Sequence, residues 1–252
     1  MKKLLCVFLA TALLCACGCQ KGAGAIGLDG DYVNLSESLP GMTEAEIHEA
    51  LGQPSSFLSG FRGDVYRVPG DRLLILYYGE DLKVEHVKLS VPVDAGNVIR
   101  VAYTEDLRLA DGCLNAQVIA DTLHLSSVLH LPVFRFDSAA DLAVFLDKYA
   151  DVLGVDVGEG ETPSLREAAA AFDDGFFRDN CLLAAYMTAG SGSFRYGAEV
   201  VYDGAGSVCV YVNKTNDPQV YTDDMAGWLV LAPQKKSDLR KCETYDALYG
   251  GE

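Results

Sequence analysis

Three short, unbroken apolar runs govern what this chain can become: RLLILYY at 72–78, NCLLAAYM at 180–187 and WLVLAP at 228–233. Pro69-Gly70-Asp71 and Gly79-Glu80-Asp81 bound the first, and a Gly-Ser turn at 190–193 follows the second. Apolar runs of this length between turn residues read as buried strands. Further strands are expected in DVYRV (64–68), LKVEHVKLSV (82–91), NVIRVAY (97–103) and VLHLPVFRF (128–136). Pro132 places the last at a sheet edge or starts it at Val133. RYGAEVVYDGAGSVCVYVNK (195–214) reads as a hairpin with Asp203-Gly204-Ala205-Gly206 as its loop.

Helices are announced by their caps. Thr43 with Glu46 makes a capping box, and Met42 with Ile47 can form a hydrophobic staple. Ile47, Ala50 and Leu51 give a buried stripe, Gly52 ends the helix, and Pro54 prevents its resumption. Ser138 can cap a helix over 139–153, whose Leu142, Phe145, Leu146 and Tyr149 share a face. Ser164 with Glu167 opens a third, running to Phe172. The expected class is α+β, as two small domains, each with short helices on an antiparallel sheet: 36–103 and 128–240, with a connector at 104–127 and a tail at 241–252.

The N-terminus says where the chain works. Lys2 and Lys3 precede an apolar run from Leu4 to Ala16, the length of a signal segment and too short to span a membrane. Leu14-Cys15-Ala16-Cys17 fits a bacterial lipoprotein cleavage pattern, with residues 1–16 removed and Cys17 taking the lipid. Cys19 and Cys15 fit less well, because Ala16 or Leu14 then occupies the wrong position. A thioether-linked diacylglycerol plus acylation of the new amino group gives more than one acyl chain, which anchors stably. Residues 17–35 read as a flexible, glycine-rich tether. The expected location is therefore the extracytoplasmic side of a cell membrane, lipid-anchored. Gly18 after the lipid cysteine permits outer-membrane sorting in a host that has one.

Charge narrows the partners. Thirty-six acidic residues stand against 20 basic ones, for a net charge of −16, and signal cleavage removes two lysines more. Nucleic acid and anionic headgroups are disfavoured. Cys17, Cys19, Cys113, Cys181, Cys209 and Cys242 are too sparse for a disulfide scaffold. No C-x-x-C or histidine-rich spacing occurs in the folded part, so no zinc site and no cofactor are expected.

Two resemblances follow from these residues. Gly41-Met42-Thr43, Glu46-Ile47 and Leu51-Gly52-Gln53-Pro54-Ser55 resemble the start of the SmpA/OmlA family of small bacterial lipoproteins, a helix-then-hairpin unit also met in β-lactamase-inhibitor-like proteins. The likeness covers 36–92. Phe176-Phe177, Leu182 to Met187, 190–193, and Thr222, Asp223, Met225, Ala226 and Trp228 look similar to a PrcB-like domain of clostridial lipoproteins, over 128–240. Both imply non-enzymatic modules that contact other proteins.

Catalytic candidates are weak. Ser191 and Ser193 sit in a glycine-rich turn, but GSGS is not the nucleophile elbow. His48 lies on the polar side of a capped helix, His86 alternates outward on a strand, and His124 and His130 flank apolar runs without a paired carboxylate motif. Asp223-Asp224 reads as loop polarity, and Asp156, Glu159 and Glu161 lack the spacing of a calcium loop. The expectation is a non-catalytic protein-binding lipoprotein, partnered by the membrane and a cell-envelope protein. The alternatives are capture of a glycan or peptide, and an unrecognised hydrolase.

Overall fold

The computed structural model describes residues 27–28, 30–122, 129–158, 163–220 and 222–250. Cys15, Cys17, Cys19, His124, Glu159 and Glu161 lie outside them.

The fold is α+β, with two sheets. Helix α1 (Tyr32–Ser38) is capped by Asp31, whose side chain accepts from the Val33 N–H. Helix α2 (Glu44–Leu51) carries the expected Thr43–Glu46 box and ends at Gly52, where φ is +81°. Strands β1 (Ser56–Phe57), β2 (Gly63–Val68), β3 (Arg72–Tyr78) and β4 (Val84–Val93) form an antiparallel meander. A single 3-10 turn at Ala95–Asn97 then redirects the chain into β5 (Val98–Val101).

Helix α3 (Ala116–Thr122) lies in the expected connector, followed by β6 (Leu129–His130) and β7 (Val133–Phe136), split around Pro132. The helix expected over 139–153 is two, α4 (Ala139–Lys148) and α5 (Ala150–Leu153), broken at Tyr149. Gly154, in the left-handed region, stops α5. Helix α6 (Leu165–Ala169) has its Ser164–Glu167 box but ends before Phe172. Strands β8 (Asn180–Ala189), β9 (Tyr196–Asp203), β10 (Ser207–Lys214) and β11 (Ala226–Lys235), helix α7 (Lys236–Leu239) and β12 (Thr244–Tyr249) complete the chain.

The strands are dealt between the sheets differently from their order in the chain. The first sheet runs β1-β2-β3-β4-β9-β10-β12-β6 and the second β5-β11-β8-β7. Strand β4 pairs with β9 from Lys88↔Asp203 to Val93↔Ala198, and β5 pairs with β11. The stretches 36–103 and 128–240, expected as separate units, therefore share both sheets. NVIRVAY, expected to extend the meander, crosses to the other sheet. The segment 241–252, expected as a tail, contains β12, which lies parallel to β10 and carries β6 on its far side. Helix α1 begins inside the stretch 17–35 expected as tether, with Tyr32, Val33 and Leu35 buried.

The second sheet is the middle layer. On one side, Cys181, Leu183, Ala185, Met187, Trp228 and Val230 meet Leu74, Leu89, Val200, Tyr202 and Val210 of the first sheet. On the other, Leu182, Ala184, Tyr186, Leu229 and Leu231 meet Leu142, Phe145, Leu146 and Leu165 of α4 and α6. Burial on both faces explains why NCLLAAYM and WLVLAP are apolar without alternation. Helices α1 and α2 cover the rest of the first sheet's inner face through Tyr32, Leu35, Leu39 and Ile47.

Candidate functional site

Antiparallel pairing of β8 with β11 starts at Ala189↔Ala226, so the Gly-Ser turn that leaves β8 lies against the segment that approaches β11. The two stretches singled out in the sequence thus meet. Thr222 Oγ1 lies 3.1 Å from both Ser191 Oγ and Ser193 Oγ, and the Thr222 N–H donates to Ser193 Oγ. The Gly192 N–H donates to Asp224 Oδ1 at 3.1 Å, and Arg100 Nη2 of β5 donates to Asp224 Oδ2 at 2.9 Å. Arg195, just before β9, reaches back to the turn, donating to the Gly192 carbonyl at 2.9 Å while its guanidinium sits over Trp228. The Thr222 hydroxyl and the Gly192 amide hold the Asp224 carboxyl below the usual carboxylate range. We call this knot the clasp.

Beside the clasp opens a groove of about 350 Å³. Arg100 and Tyr103 come from the end of β5, Gly154 and Val157 from the loop after α5, and Met225 from the segment before β11. Its walls expose apolar side chains: Val157 is 72% exposed, Met225 55% and Tyr103 38%. Acid stands at its margins. Tyr103 donates its hydroxyl to Glu105 at 2.8 Å, and Asp224 is bound to Arg100. The groove exists because β5, the short strand expected in the meander, forms the edge of the second sheet.

The remaining candidates fall into structural settings. Ser191 is fully buried, and its oxygen accepts from the Ser193 N–H, so its hydroxyl shapes the turn. Asp156 pairs with Arg166 at 2.6 Å. Asp223 is exposed beside the clasp, and His86 is exposed on β4. His130 Nδ1 lies 2.9 Å from Asp246 Oδ1, which also accepts from Asn115 Nδ2. Cys113 donates to Asn115 Oδ1 rather than meeting His130, and burial raises its thiol pKa. A protonated thiol without a base is no nucleophile.

His48 has a partner that sequence reasoning missed. Its Nε2 lies 2.8 Å from Asp64 Oδ2, which also accepts from the Tyr78 hydroxyl at 2.7 Å. Asp64 is 1% exposed, on the inner face of β2 with Tyr66 and Val68. The period of two in GDVYRV carries the signal: it puts a carboxylate on the phase of buried residues, where a partner is obligatory. Among the described residues, Glu44, His48 and Asp64 form the one group of three that brings metal-ligating atoms together.

Comparison of the chain with protein-family models, with curated proteins and with solved structures finds no match.

Proposed function

We propose that this chain is an extracytoplasmic lipoprotein, anchored through Cys17, whose folded part is a non-catalytic protein-binding module of the cell envelope. The observation that carries the reading is the groove with Tyr103, Val157 and Met225 exposed on its walls and acid at its margins. Exposed apolar side chains gathered beside polar groups mark contact surfaces, and aromatic anchors with a charged surround are how such surfaces gain affinity. The clasp fixes the groove's shape in advance, which reduces the ordering cost of association. A net charge of −16 favours a partner with a basic rim around an apolar ridge. The SmpA/OmlA-like and PrcB-like resemblances point to the same class.

The test substitutes the groove wall. Met225→Asp and Val157→Asp change exposed side chains, so circular dichroism and melting should match the parent chain. Crosslinked pull-down from the native membrane should lose the partner in both variants. Retention of the partner, or recovery of a glycan or peptide in place of a protein, contradicts the reading. Cys17→Ala should release the chain from the membrane; if the lipid remains, the anchor lies at another cysteine.

A further inference from the structure

A second constellation, on the α2 side of the first sheet, gathers metal-ligating atoms from two elements. Glu44 and His48 are four residues apart on α2 and so lie on one helix face. Asp64 reaches them from β2, and one ligating atom of each lies within 4.8 Å of the others. We propose that Glu44, His48 and Asp64 form a binding site for a divalent cation of the zinc class, with the remaining coordination open to solvent.

The donor set is one imidazole nitrogen and two carboxylate oxygens, which suits zinc among the common divalent ions. Charge balances, because two carboxylates and a neutral imidazole offset two positive charges. Asp64 is 1% exposed, and a carboxylate withdrawn that far from water requires a cation or strong donors. The Tyr78 hydroxyl on Asp64 Oδ2 is the outer-shell bond that fixes a ligating carboxylate. Glu44 and His48 are half-buried, which leaves an approach from solvent. His48 Nε2 and Asp64 Oδ2 stand 2.8 Å apart. Tetrahedral ligands about 2.0–2.1 Å from zinc stand roughly 3.3 Å apart, so loading opens this pair by about half an ångström. Ligation uses the neutral imidazole with its proton on Nδ1, so that Nε2 presents its lone pair to the metal. Among the residues of α2, Ile47 alone is buried, so the ion fastens a lightly held helix to the sheet. Local sequence spacing gave no sign of the site because its third ligand comes from another element.

The experiment is zinc titration of the full chain in detergent, stripped of metal and read by competition with a chromophoric chelator. One ion per chain is expected. Glu44→Gln and His48→Gln should each weaken binding about tenfold or more. Glu44→Gln leaves the His48–Asp64 and Tyr78–Asp64 contacts in place, so its melting without zinc should match the parent. Added zinc should raise the melting temperature of the parent and not of Glu44→Gln. Absence of a bound ion overturns the proposal. So does zinc binding that survives both substitutions, which would place the ion elsewhere, for instance at Cys19.

Discussion

Gly227 shows how closely the second sheet is drawn together. A Cβ there would stand 2.3 Å from the Ala102 carbonyl oxygen and 2.9 Å from the Tyr186 hydroxyl. Backbone cannot yield as a side-chain tip can, so Gly227→Ala should cost about 2–3 kcal/mol in urea unfolding. Gly192 is a milder site. Its Cβ would meet Arg100 Nη2 and Asp224 Oδ2, both ends of mobile side chains, so Gly192→Ala should open the clasp more than it destabilises the fold. The Tyr186 hydroxyl accepts from the buried Thr104 N–H at 2.7 Å. Tyr186→Phe leaves that donor unpaired, at a cost of about 1–3 kcal/mol. Asp224 adds a pH dependence. Its carboxyl is held low when folded, so its contribution is present above the unfolded carboxylate pKa, about 3.9, and is lost as pH falls through the lower folded value. Urea midpoints of the parent and Asp224→Asn should converge as pH drops below that range. A gap that stays constant would remove Asp224 from the clasp's energetics.

Elements differ in how far they declare themselves in sequence. The capping boxes at Thr43 and Ser164 and the Ser138 cap were legible, since each needs only residues three apart. Thr43→Ala should cost about 1 kcal/mol, checked by urea unfolding. Strand identity was legible too, because RLLILYY and NCLLAAYM are apolar beyond what a turn tolerates. Pairing was not. NVIRVAY has nothing that prefers β4 over β11 as a neighbour, and a 3-10 turn at Ala95–Asn97 decides it. Strand β12 was missed because TYDALY buries only Ala247 and borrows its order from β10. The groove was invisible for the same reason, since its walls come from three distant segments. The clasp was half legible: its Thr222, Asp224 and Gly-Ser pieces stood out, and Arg100 did not. Removal of residues 243–252 should therefore disrupt the fold, seen as lost cooperativity in thermal unfolding, although a tail would be dispensable.

At the scale of the molecule, β4–β9 and β5–β11 stitch the front of the chain to its back. One unfolding transition is expected, with the fluorescence of the single tryptophan, Trp228, coinciding with far-ultraviolet circular dichroism. Two separated transitions would restore independent domains. Sharing the sheets brings β5 to the edge where it can wall a groove, so the architecture itself supplies the proposed contact surface. The most direct measurement is site-specific photocrosslinking in native membranes, with the reactive group at Tyr103 or Met225 and a control at exposed Glu49 on α2. A discrete protein adduct from the two groove positions, and none from the control, is the predicted result. Equal labelling from all three positions, or no protein adduct from the groove, would contradict a protein-binding module.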